Sequence, residues 1–236
     1  MFILRQAQDD KNKTTNYKKM SIASNIQKIK EELPKTATLV AVSKTKPNED
    51  ILTAYNAGQR VFGENKVQEL VEKQASLPKD IKWHLIGHLQ TNKVKYIAPF
   101  VDLIHAVDSF KLLKEINKQA LKHNRVISCL LQVKIAEEDS KFGLSFEDSE
   151  KLLNNEEVKQ LKGVKIIGLM GMATNTSDKE KIKQEFSSLN DFYEKLLPLH
   201  LEFSTLSMGM SGDYKVALEE GSNMIRVGST LFGERI

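Results

Sequence analysis

The chain has 236 residues, 40% of them hydrophobic and 28% charged, with a net charge of +4. That is enough to bury one large core or two small ones. No apolar run reaches the ~20 residues that span a bilayer, and the single cysteine, Cys129, excludes an intrachain disulfide framework and fits a reducing cytoplasm.

Lys and Arg alternate with Asp and Glu along most of the chain, so the charge reads as solvated faces and not as a nucleic-acid stripe. Met1 to Lys19 is polar, and its apolar start, Phe2-Ile3-Leu4, is too short for a signal peptide. Periodic structure begins after Met20. We therefore expect residues 1–19 to be a disordered extension, Met20 to be the biological start, and 20–236 to form one domain.

From there, eight short apolar runs recur: Thr38–Ser43, Arg60–Glu64, Trp83–Gly87, Leu103–Val107, Ile127–Ile135, Lys165–Met170, Phe203–Ser207 and Met224–Gly228. Amphipathic segments lie between them. Ser24 and Gln27 have capping-box spacing ahead of Ile29 and Leu33, and Asn48 is placed to cap Ile51-Leu52. Ser109, Ser145, and Ser177 or Asp178 open three further helices. Alternating strand and helix implies a parallel sheet, and eight units is the count of a (β/α)8 TIM barrel. The rival is an open doubly wound sheet, which usually carries a Gly-rich fingerprint after its first strand. None follows Lys44.

In a parallel barrel the C-terminal strand ends floor the active site. The first run delivers Lys44 there. A poorly hydrated lysine is disfavoured as an ammonium, and a neutral amine attacks aldehydes such as pyridoxal 5'-phosphate (PLP). Alone, a surface lysine is the commoner reading. Strand seven runs into Ser207-Met208-Gly209-Met210-Ser211-Gly212, and strand eight into Arg226-Val227-Gly228-Ser229-Thr230. Both loops have the small residues that present backbone N–H groups and hydroxyls to a phosphate. Arg226 shares a strand face with Gly228. Inside a barrel it needs either an interior carboxylate or an anionic or hydrogen-bonding ligand group, such as a pyridine nitrogen.

Asn65 follows the second run and is placed to cap the next helix while reaching the site. His84 reads as a core histidine; His88 and Gln90, nearer the strand end, are better functional candidates. Lys141 and Gly143 fall in the loop after the fifth strand, which reads as mobile. No metal-ligand spacing, nucleophile elbow or Walker loop occurs.

The segments Ala41–Pro47, Phe62–Asn65, Trp83–Lys93, Leu206–Ser211 and Arg226–Gly233 resemble, in order, the pyridoxal-phosphate homeostasis proteins of the YggS/PROSC type. The resemblance implies a fold like the N-terminal barrel domain of alanine racemase. It implies that Lys44 forms the covalent aldimine with PLP and that Ser207, Met208, Gly228 and Ser229 surround the phosphate. Arg226 would face the ring nitrogen, and Asn65 would lie near the ring. Alanine racemase takes its second base from a separate domain after the barrel, whereas this sequence stops at Ile236. The expectation is therefore a cytoplasmic PLP-binding homeostasis protein with no catalytic residues and no metal. It would buffer PLP or deliver it to apo PLP-dependent enzymes. It would have no nucleic-acid or membrane partner and would be a monomer or at most a weak dimer. A small PLP-dependent racemase or lyase, and a barrel binding another phosphorylated metabolite, are the alternatives.

Overall fold

A computed structural model describes residues 21–137 and 142–234. The expectations for residues 1–19, for Met20 and for Lys141 lie outside the described residues. All eight apolar runs are strands: β1 (Thr38–Val42), β2 (Val61–Glu64), β3 (Lys82–Leu85), β4 (Leu103–Val107), β5 (Ile127–Gln132), β6 (Val164–Met170), β7 (Thr205–Ser207) and β8 (Met224–Val227). They close in sequence order into a parallel barrel, with β1 paired to β8 from Thr38↔Met224 to Ala41↔Val227. This is the expected (β/α)8 barrel and not the open sheet. The seam between β7 and β8 is the thinnest join, with one register pair, Ser207↔Met224. Side chains of β8 and its approach supplement it. Asn223 accepts from the Leu206 N–H and donates to the Ser204 carbonyl, each at 2.8 Å, and the Ser222 hydroxyl bridges Leu206 and Met208.

The helices are α1 (21–32), α2 (Asn48–Asn56), α3 (Val67–Ser76), α4 (Val94–Ile97), α5 (Phe110–Lys122), α6 (Phe146–Asn154), α7 (Glu156–Lys159), α8 (Lys179–Leu196), α9 (Tyr214–Glu219) and α10 (Ser229–Phe232). Ser109, Ser145 and Asp178 accept the first-turn N–H groups of α5, α6 and α8. Two expected caps are not caps. Ser24 lies inside α1. Asn48 is the first residue of α2, behind Pro47, and its side chain donates to Ser76 Oγ at 3.0 Å instead.

Each strand buries both faces, which is why the runs are continuously apolar. Outward residues such as Phe62, Trp83 and Leu131 join the layer under the helices, together with Cys129, whose thiol burial pushes upward. Inward residues form a separate cluster of Val40, Leu103, Ala106, Leu130, Met170 and Met224. That inner stack supports the C-terminal rim from below.

Candidate cofactor site at the strand ends

A cavity of about 350 Å3 opens at the C-terminal rim. Lys44, Asn65, Arg226, Gly228 and Ser229 line it, as do Ser211, Met210 and Lys46. A larger hollow of about 460 Å3 lies at the opposite end around Val164 and Phe203. Two of its lysines are half exposed and pair with carboxylates, Lys159 with Glu156 and Lys165 with Glu202. In this fold that end serves stability, so the chemistry belongs to the rim.

Lys44 sits in a turn two residues past β1. The next residue, Thr45, has φ +64°. A β-branched residue in the left-handed region costs roughly 1–2 kcal/mol, so its surroundings must impose it. They do. The Thr45 N–H donates to Glu69 Oε1, and the Ser43 hydroxyl donates to Glu64 Oε1 at 2.6 Å. The buried Lys73 ammonium gathers Glu64, Glu69 and the Ser43 carbonyl at 2.6–2.8 Å. Burial pushes the Glu64 carboxyl up to about 7 although Lys73 pulls it down. Glu69 and Lys73 escaped the sequence reading because an i,i+4 pair on a helix normally lies on a solvated face.

Lys46 lies beyond the strand. It is partly buried, and its ammonium donates to the carbonyls of Phe232, Gly233 and Glu234 at 3.0–3.2 Å. Asn65 lines the cavity but caps no helix, since α3 starts after Lys66 without a side-chain cap. Its backbone explains Gly87: a Cβ there would lie 2.5 Å from the Asn65 carbonyl oxygen.

Arg226 enters the cavity floor from inside the barrel and is 4% exposed. Nη1 donates to the Ser207 carbonyl and hydroxyl at 2.9 and 2.6 Å, and Nη2 to the Gly171 carbonyl at 2.9 Å. These partners are neutral; no interior carboxylate bonds it among the described residues. Burial lowers its pKa to about 10, against the pull of Asp213.

The structure does not bring Ser207 and Met208 to the cavity. Ser207 lies in β7, fully buried, its hydroxyl engaged by Arg226 and 3.2 Å from His105 Nδ1. Met208 packs in the outer core, and its N–H and carbonyl are both bonded to Ser222. Period-two alternation explains the correction. Ser207 faces inward while still in the strand, and only after Gly209, at φ +88°, does the chain rise to place Ser211 on the rim. Ser211 Oγ accepts from the Gly228 N–H at 3.1 Å, joining the loops that follow β7 and β8. Of the other candidates, His84 is buried, and His88 pairs with Asp108 at 3.4 Å and stacks on Phe142, away from the cavity lining. Gln90 is exposed. Among the described residues no cluster of three metal-ligating side chains occurs, and no helix is long and apolar enough to cross a membrane.

The donor set suits a phosphorylated aromatic aldehyde. Two amines, one buried guanidinium, an amide, two hydroxyls and a glycine-started helix surround a cavity of the size that holds a small cofactor. The comparisons agree. A model of the alanine racemase N-terminal domain matches residues 18–236. The pyridoxal phosphate homeostasis protein of Aquifex aeolicus is 41% identical over 201 residues, 84% of this chain and 87% of that protein. PipY of Synechococcus elongatus, in a structure with PLP bound, is 37% identical, with a TM-score of 0.81 over 90% of this chain and 100% of that one. Alanine racemase of Clostridium difficile shares the fold at 14% identity, with a TM-score of 0.76 over 91% of this chain and 60% of that one. With a domain match over nearly its whole length and relatives this similar along theirs, the chain belongs to the family of pyridoxal phosphate homeostasis proteins, built on the alanine racemase N-terminal domain.

Proposed function

We propose that this protein binds PLP in the rim cavity and serves PLP homeostasis, holding the cofactor and releasing it to apo enzymes in the cytoplasm. The observation that carries the reading is the convergence of Lys44, Arg226, Ser211 and Ser229 on one cavity. When bound, PLP supplies an aldehyde that condenses with a primary amine and a ring that draws electrons from it. Lys44 would supply that amine, Arg226 would donate to the ring nitrogen, Asn65 would lie near the ring, and Ser211, Gly228 and Ser229 would hold the phosphate. The PLP-bound relative PipY and the homeostasis proteins of several organisms support the assignment.

The lining supports holding without substantial turnover. Its titratable groups among the described residues are Lys44, Lys46 and Arg226. Lys46 is spent on three carbonyls, and a guanidinium facing the ring nitrogen keeps it unprotonated, which weakens the ring as an electron sink. The racemase-like fold favours a second reading, an amino-acid-converting enzyme. Absorbance of the purified protein before and after borohydride, with mass mapping of the reduced lysine, tests the first reading. Alanine racemisation above that of free PLP, lost in Lys44→Ala, would establish the second.

A further inference from the structure

The interior of an eight-stranded barrel is normally filled by branched apolar side chains. Here four polar ones stand in line across it. Arg226 Nη1 donates to Ser207 Oγ at 2.6 Å, and that oxygen lies 3.2 Å from His105 Nδ1. His105 Nε2 lies 3.0 Å from His84 Nδ1, and His84 Nε2 lies 3.4 Å from Asp102 Oδ2. All but Asp102 are buried; its carboxylate, just before β4 at the opposite end of the barrel, is 48% exposed. The line runs from the cavity floor to solvent at the far side.

Donor and acceptor arithmetic gives it a direction. Arginine has only donors, an ionised carboxylate only acceptors, and a hydroxyl one proton to give. Ser207 Oγ accepts from Arg226 with one lone pair, and Nδ1 of His105 is the acceptor its own proton can reach. A neutral His105 then carries its proton on Nε2 and gives it to Nδ1 of His84. His84 in turn points its own Nε2–H at Asp102.

We infer that His105 is a positioning residue for Arg226: a one-way chain of hydrogen bonds, Arg226 to Ser207 to His105 to His84 to Asp102, passes through two neutral Nε2-protonated imidazoles and pins the guanidinium in the cavity floor. Its functional consequence rests on the reading that Arg226 meets the PLP ring nitrogen.

The reverse arrangement would make His84 an imidazolium and point both Nδ1 protons toward Ser207. That would put a second cation inside the barrel near Arg226 and deprive the Ser207 proton of its acceptor. Burial opposes it, holding His84 below its ordinary pKa despite Asp102 and with Lys82 adding to the effect. His105 is held well below, first by burial and then by the charges of His84 and Arg226. The His84 contact, with Lys82 and Arg125 nearby, keeps Asp102 ionised. A buried polar line of this kind is tolerable only when each member is satisfied, and this direction satisfies each. Three of the N–H groups of Arg226 are fixed by the barrel, leaving Nε–H and one Nη2–H for the cavity.

Long-range 15N–1H spectra of the native protein without PLP, recorded at about pH 7.5, read both tautomers directly. His84 and His105 should each show a bare Nδ1 and a protonated Nε2. An Nδ1–H on either ring, or an imidazolium at His84, overturns the chain. In PLP titrations, His105→Leu should weaken binding about tenfold, whereas His105→Gln, whose amide both accepts and donates, should stay within about threefold. Equal losses, or no loss in the leucine variant, overturn the positioning role. If the native protein takes up no PLP, the cofactor reading falls and the tautomers still decide the chain.

Discussion

The Lys46 ammonium lies 3.0 Å from the carbonyl oxygen of Gly233, which fastens the turn after β1 to the end of α10. Two lysines two residues apart thus have separate duties. Lys44 faces the cavity, while Lys46 ties two of its walls together. Borohydride reduction in the presence of PLP should label Lys44 and leave Lys46 unlabelled. Lys44→Ala should lose the visible absorbance band with its melting temperature nearly unchanged. A label on Lys46 would refute the assignment.

Ser211 and Ser229 are expected to hold the phosphate. Each charge-assisted hydrogen bond is worth roughly 1.5–3 kcal/mol, so either serine-to-alanine change should weaken PLP binding about tenfold or more. Pyridoxal, which lacks the phosphate, should bind nearly as before. Ser207→Ala should act differently, because its hydroxyl serves Arg226, and should weaken both ligands alike. Titrations of both compounds against the three variants separate these outcomes.

Glu64 makes stability depend on pH. Its carboxyl titrates at about 7 in the folded protein, above the ordinary 4.5. A raised value means that the folded state holds the proton more tightly. Stability from this group is therefore complete below pH 4.5 and is lost as pH rises to about 7. The loss amounts to about 3 kcal/mol. Glu64→Gln removes the titration and leaves a pH-independent offset from the lost Lys73 pairing. Relative to the native protein, its melting temperature should climb by several degrees across that interval and run parallel above it. A constant difference from pH 4.5 upward would disprove the assignment.

Gly87→Ala should disturb the site without touching it. A methyl group 2.5 Å from the Asn65 carbonyl must push backbone rather than a flexible side chain, a strain of roughly 1–3 kcal/mol. Lower melting temperature and weaker PLP binding should appear together. Unchanged binding would show that Asn65 contributes little.

The barrel was legible because strands buried on both faces leave uninterrupted Val, Ile and Leu runs, and all eight were found that way. Their ends were less so. Ile127–Ile135 overran the strand, which stops at Gln132, since Val133 and Ile135 continue its composition while the chain passes into an isolated bridge between Val133 and Leu144. The lysine, the arginine and the β8 loop carried local signals, and the structure brings them to one cavity. Ser207 and Ser211 differ only in which side of Gly209 they fall, and the backbone, not the composition, separates them. Nothing local joins Asp102, His84, His105 and Ser207, or Lys73 and Glu64. Those pairings cross the barrel or bridge helix to strand, so they emerge only when the chain is folded.

The side-chain join between β7 and β8 changes what a substitution there means. Where neighbouring strands hold each other by main chain, any side chain can be replaced without unzipping them. At this seam the main-chain bonds from the Asn223 N–H to Leu206 and the Arg226 N–H to Gly209 are reinforced by the side chains of Asn223, Ser222 and Arg226, so sequence identity bears directly on closure of the ring. A variant at any of the three should raise amide hydrogen exchange along Thr205–Ser207 before it affects the distant strands. Because one of those stitches is also the cavity floor, a single guanidinium takes part in both the barrel's closure and its capacity for ligand.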